Sequence, residues 1–249
     1  MVGTAGLLIA PAAQHRLVEK GEATARIIGV TTFHMEIALV VLAIGIALDL
    51  YVAFERIHGF ATSLALAAAT FLVATICWYA LALFFRAPNR KQEHAVSKTK
   101  SPTPYSKKID YMLTEARVVL PGVQALLGFQ LIAVLTKPFE QMPFGLKLVH
   151  AVGLGMMALS MILLLAPAAL HRLGFQGEDV PTVHEIGSIL VTLALAALAL
   201  GLGAEVMAIG VLTGRIDIGV LVAGLALLML LGFWYVWPFA LRKRHSPLR

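Results

Sequence analysis

The sequence predicts an all-α membrane protein with about six full transmembrane helices plus a partial N-terminal helix, arranged as tandem parallel four-helix repeats. Three observations carry this. First, 59% of the 249 residues are apolar and only 14% are charged, whereas a soluble domain averages about a quarter charged. Second, the apolar runs are long enough to cross a hydrocarbon core at roughly 20 residues each. Third, the octapeptide Ala166-Pro167-Ala168-Ala169-Leu170-His171-Arg172-Leu173 has a near copy at Ala10 to Leu17, 156 positions upstream.

Taken in order, residues 1–14 are apolar but too short to span, since a span needs about 17–25 residues. The polar loop His15 to Arg26 follows. The first full span runs from Ile27 to about Phe54, then a tight turn, Glu55-Arg56-Ile57-His58-Gly59, and a second span from Phe60 to about Phe85. Arg86 to Lys108 is a linker with seven basic residues against one acid, Glu93, and Ser101-Pro102-Thr103-Pro104 argues against helix there. Asp110 to Arg117 leads into a third apolar run ending near Thr136. A loop holding Lys137-Pro138, Glu140 and Pro143 precedes a fourth, about Gly145 to Leu170. After the loop His171 to Thr182 come a span from about His184 to Leu212, a turn at Thr213-Gly214-Arg215, and a last span to Leu241.

The offset of 156 extends well beyond the octapeptide. It pairs Gly21-Glu22 with Gly177-Glu178, Gly45 with Gly201, Asp49 with Glu205, Trp78-Tyr79 with Trp234-Tyr235, and Arg86 with Arg242. No gap is needed over about 80 residues, and roughly a quarter of them are identical. Chance matches at Ala and Leu do not produce His-Arg, Gly-Glu and Trp-Tyr in one register. The chain therefore divides into an N-terminally incomplete first repeat (1–86), a basic linker (87–108), a complete four-helix repeat (109–242) and a basic tail (243–249). Met1 aligns with Met157 inside a helix, so a start roughly 50 codons upstream, or a degenerate first repeat, is expected. A signal peptide is the competing reading of residues 1–14. The absence of Lys or Arg before the apolar run, and the recurrence of the octapeptide inside the chain, oppose it.

Charge sorts by side. With the C-terminus in the cytoplasm, about 16 of the 20 Lys and Arg fall inside, and only Arg56, Lys137, Lys147 and Arg215 fall outside. This points to a bacterial inner (plasma) membrane location with the bilayer as partner. It also explains the formal charge of +6 without nucleic acid. Two four-helix copies entering from one side relate by an axis along the membrane normal. The single Cys77 excludes an internal disulfide and any paired-cysteine motif.

Asp49 and Glu205 are the first candidates for chemistry. An ionisable group at membrane depth is costly and marks a functional site by default, here proton or cation movement. The plainer alternative is a hydrated carboxylate near the outer interface, or one paired with Arg56 or Arg215. Gln124 and Gln130 fit interhelical hydrogen bonding, or the lining of a polar path. His15-Arg16 and His171-Arg172 follow a proline-marked helix end and read as interfacial anchors, with Glu115 and Arg117 in the same role. Pro121-Gly122 should kink its helix, and the two Trp-Tyr pairs read as aromatic-belt anchors. Ala197 with Gly201, and Ala61, Ala65 and Ala69, offer close helix packing, through which a homo-oligomer is expected. The histidines His34, His150 and His184 form no metal motif, and no catalytic constellation stands out. Neither a cofactor nor an enzymatic activity is expected.

The opening Thr114 to Gln130 (TEARVVLPGVQALLGFQ), with the APAALHRL helix end, resembles an uncharacterised bacterial family of small four-helix integral membrane proteins, classed as a domain of unknown function. Glu115, Arg117, Pro121, Gly122, Gln124, Phe129, Pro167, His171 and Arg172 carry the likeness. It covers about 109–242 well and Leu7 to Arg86 more weakly. The resemblance implies the fold and the membrane class. It leaves two function classes, a structural or stress-associated membrane protein and a proton- or cation-coupled transporter or channel subunit.

Overall fold

The computed structural model describes residues 10, 25–85, 103–212 and 216–244, and these are 92% helical, with no strand among them. The N-terminal fragment with His15 and Arg16, most of the linker, Arg215 and residues 245–249 lie outside the described residues.

Six long helices make the bundle: α1 (Ala25–His58), α2 (Phe60–Phe84), α3 (Tyr105–Val134), α4 (Phe144–Gly174), α5 (Pro181–Leu212) and α6 (Ile216–Leu231, continuing through Trp237–Arg244). All six are long and apolar enough to cross a membrane. Their exposed surface is a coat of large apolar side chains, among them Phe33, Leu48, Phe129, Ile209 and Leu228. In water such a surface would drive aggregation, whereas against acyl chains it costs nothing. The chain is thus a multi-pass membrane protein by fold.

Helix boundaries follow local chemistry. The expected five-residue turn at 55–59 contracts to one residue: Glu55 to His58 are helical, and the break falls at Gly59, whose φ is 77°. Only glycine adopts that conformation without a Cβ penalty. The polar lead-in Asp110 to Arg117 is also helical, because α3 starts directly after Pro104. Ile109, Met112, Leu113 and Ala116 recur at helical spacing on its buried face, so the bundle itself stabilises this turn-rich start. Pro121 lies inside the same helix, which runs unbroken to Val134. At the end of α4, Leu170–Gly174 widens into a π-turn, closed by Gly177 N–H donating to the His171 carbonyl at 2.8 Å, with Gln176 and Gly177 at positive φ.

Two ends of the bundle can be told apart. The Gly59 end gathers the α1–α2 turn and the loop between α3 and α4. There Arg56 pairs with Glu140 at 3.0 Å, and the His58 ring meets Phe144 edge-on. The Gly177 end gathers the α4–α5 loop and the last turns of α2, where Gly174 lies against the backbone of Ala82.

α4 is the central helix, with 61% of its apolar window buried against 17% for α2 and 11% for α6. Helix association in lipid draws on close packing at small residues, because the acyl chains are as apolar as leucine. At the α4–α5 crossing, a Cβ on Gly153 would meet Ala204 at 3.3 Å and the Gly201 carbonyl at 3.4 Å. At the α5–α6 crossing, a Cβ on Gly210 would meet the Cα of Gly219 at 2.5 Å. Ala197 is buried as expected. The Ala61, Ala65, Ala69 stripe is not the packing face of α2, since those three are exposed and Ser63, Ala67 and Ala74 are buried instead. At 3.6 residues per turn, a shift of two positions lands on the opposite side of the helix.

The first Trp-Tyr pair also differs from expectation. Trp78 is fully buried, and its indole N–H donates to the Ile162 carbonyl of α4 at 2.9 Å. It is a core residue and not a belt anchor, because α4 covers it. Trp234 is half-buried. Both pairs lie in π-turns, Ile76–Ala80 and Gly232–Val236. The Tyr79 hydroxyl donates to the Glu36 carbonyl, and the Tyr235 hydroxyl to the Thr192 carbonyl.

Candidate functional site

Among the described residues, a buried polar cluster spanning three helices lies toward the Gly59 end, on α3, α4 and α5. Glu205 is seven residues from the end of α5 and His150 six from the start of α4. At 1.5 Å per residue both sit about 10 Å inside their helices. Because the two helices are antiparallel, these positions share one depth. Helices of about 30 residues are some 45 Å long, against roughly 30 Å of hydrocarbon. The cluster therefore falls near the boundary of the apolar layer, where water is close at hand.

His150 is at the centre. Its side chain is 3% exposed, and Nδ1 lies 3.0 Å from one oxygen of Glu205 and 3.2 Å from the other. Its Nε2 lies 3.2 Å from the backbone carbonyl of Gln130 on α3. The ring packs edge-on against Phe139, which is buried in the loop between α3 and α4. Glu205 can approach because position 153 carries no side chain: a Cβ there would stand 2.7 Å from its Oε1. Gln130 is 5% exposed, and neither its amide nitrogen nor its amide oxygen has a hydrogen-bond partner. Glu205 Oε1 is likewise buried, and its contact with His150 lacks hydrogen-bond geometry, which Oε2 has.

The other residues singled out from sequence are dispersed. Asp49 is half-buried on α1, with no ion pair or hydrogen bond to another described residue, and nothing brings it to Glu205. Arg56, one of the two arginines suggested as partners for these carboxylates, is taken by Glu140 instead. Gln124 is exposed on α3, as are Glu115 and Arg117. His171 is held within its own loop, with Nε2 3.3 Å from Asp179 Oδ1, and Arg172 lies half-buried beside Gly177. His34 bonds the Val30 carbonyl of its own helix, and His184 meets the Tyr105 ring. No three His, Cys, Asp or Glu converge among the described residues.

Sequence reasoning missed His150 as the partner of Glu205. The signal was available, since counting residues from the two helix ends places both at the same depth. What counting could not supply was the facing of α4 toward α5.

A sequence model of one protein family matches residues 1–82 and 103–238. The chain belongs to that family of unknown function, DUF6328. No curated protein and no solved structure matches the chain. DUF6328 membership fits a multi-pass membrane protein and assigns no reaction, so function rests on the cluster itself.

Proposed function

We propose that this DUF6328 protein is a non-enzymatic, multi-pass protein of the bacterial inner membrane. Its role is structural or stress-associated, and it is built from two related halves. The single observation behind this is the use made of one partly buried carboxylate: Glu205 is tied to His150, which is tied to Gln130, so α3, α4 and α5 are clamped together. Polar residues that bridge helices in this way act as glue within lipid.

The two-halves reading draws support from interactions repeated at the offset of 156. The tyrosine hydroxyls of 79 and 235 bond carbonyls of 36 and 192, the π-turns fall at 76–80 and 232–236, and the small buried pairs are Ser63 with Ala67 and Gly219 with Ala223. The family match in two segments is in keeping with it. A cytoplasmic C-terminus is supported by the charge asymmetry. In a Cys77→Ser background, a membrane-impermeant maleimide should label Gln141→Cys in intact cells and Gln176→Cys only after permeabilisation. The reverse pattern would overturn the orientation.

A second reading, a proton- or cation-coupled transporter or channel subunit, is favoured by the burial of the Glu205–His150 pair beside an unsatisfied amide. Proteoliposomes separate the two. The structural role predicts that His150→Leu, which leaves Glu205 without its partner, loses about 3–5 kcal/mol of stability, with no proton flux in either protein. Flux in the wild type that disappears in Glu205→Gln would replace the structural reading with the transport one.

A further inference from the structure

We propose that His150 and Glu205 share one proton, held between the ring Nδ1 and the carboxyl, while the Gln130 backbone carbonyl fixes the tautomer of the ring. The inference rests on the membrane reading above and needs no transport, so it stands or falls separately from either function.

The argument is an inventory of donors and acceptors. A backbone carbonyl can only accept, so the Nε2 of His150, 3.2 Å from the Gln130 carbonyl, carries a hydrogen. If the ring is neutral, Nδ1 then presents a lone pair. It faces the Glu205 carboxyl at 3.0 and 3.2 Å. A lone pair and an ionised carboxylate at that distance repel. The contact becomes attractive only with one proton between them, held either as a carboxylic acid donating to Nδ1 or as an imidazolium donating to the carboxylate. With that proton the pair is neutral overall, the state lipid surroundings favour. On release the proton passes to water, giving hydronium and leaving a carboxylate opposite an unprotonated Nδ1.

Gln130 Nε2 and Oε1 and Glu205 Oε1 are three buried polar atoms without a hydrogen bond. The carboxyl therefore has one oxygen, Oε1, with no donor other than the shared proton. Glu205 is 19% exposed at its side chain, which gives the site a side open to its surroundings.

Neighbouring charges do not substitute for the shared proton. Lys147, on α4 itself, lies over the Phe139 ring and donates to the Glu140 carbonyl, and the Glu140 carboxylate is held by Arg56 of α1. α3 contributes Gln130 and no charge to the cluster, and α5 contributes Glu205 alone. The remaining acids toward that end are Asp49 and Glu55 on α1 and Asp217 in the first turn of α6.

The test is solid-state NMR of the full chain in liposomes, with nitrogen-15 histidine and carbon-13 glutamate. At neutral pH the wild type should show Nε2 protonated and one proton correlated with both the His150 Nδ1 and the Glu205 carboxyl carbon. In Glu205→Gln that correlation should disappear while Nε2 stays protonated. Gly153→Ala, which keeps both side chains but crowds the carboxyl, should weaken the correlation several-fold and covers the case in which Glu205→Gln does not fold. The proposal is overturned if the wild type shows no proton between Nδ1 and the carboxyl, or if Nε2 carries no hydrogen.

Discussion

Gly153→Ala is the sharpest probe of how α4 and α5 are joined. The added Cβ would stand 2.7 Å from Glu205 Oε1, 3.3 Å from the Ala204 Cβ and 3.4 Å from the Gly201 carbonyl. The last two contacts are tight but tolerable, and the first is not. Carbon and oxygen need about 3.2–3.3 Å, so the carboxyl must retreat by roughly half an ångström or the helices must part. A retreat of that size takes Glu205 Oε2, which holds the hydrogen bond to His150 at 3.2 Å, to about 3.7 Å, past useful hydrogen bonding. That leaves the buried Nδ1 without its partner, a cost of about 1–3 kcal/mol. The better helix propensity of alanine returns up to about 1 kcal/mol, so a net loss of about 1–2 kcal/mol is expected. The assay is reversible unfolding in mixed micelles, with Gly155→Ala as control. Gly155 is on the same helix with nothing within 4 Å of its Cβ position, and its replacement should be neutral or stabilising. A double-mutant cycle completes the experiment, since in a Glu205→Ala background most of the cost of Gly153→Ala should vanish. Equal stability of the two glycine variants, or strict additivity with Glu205→Ala, would refute the reasoning.

Other expectations follow from the same contacts. Trp78→Phe removes a buried indole donor from the Ile162 carbonyl and should cost about 1–3 kcal/mol. Trp234→Phe, at the half-buried equivalent position, should cost clearly less in the same unfolding assay, and equal losses would contradict the burial difference. Tyr79→Phe and Tyr235→Phe each remove one hydroxyl donor to a carbonyl 43 residues upstream. They should lose similar amounts, about 0.5–1.5 kcal/mol each, by thermal melting in detergent. Gly59→Ala places a Cβ at φ 77° and should cost about 1–2 kcal/mol. Gly45→Ala, in open surroundings within α1, should cost nothing measurable.

Much of the architecture was legible in the chain because the physics behind it is local. An apolar run of some 25 residues has few ways to satisfy its backbone in lipid other than as a helix. The expected spans from Phe60, Gly145 and His184 accordingly begin within three residues of the helices found at Phe60, Phe144 and Pro181. Gly59 and Pro104 mark breaks that single residues dictate. The offset of 156 and the depth of Glu205 could also be read from spacing alone. Facing could not. A helix that is apolar all round gives no amphipathic stripe, so the alanines at 61, 65 and 69 looked as suitable for packing as Ser63 and Ala67, and only the position of α1 chose between them. Trp78 reads like an interface anchor until α4 is seen to cover it. Glu205 looked for an arginine because arginines were its nearest charges in the turns. Its actual partner, His150, lies 55 residues away on an antiparallel helix, admitted by the missing side chain at Gly153. Sequence by itself determined which segments cross and how deep each group sits, since both depend on length and composition. The tertiary structure decided which groups meet, since that depends on the rotation of each helix about its own axis, and a uniformly apolar surface leaves that rotation to packing.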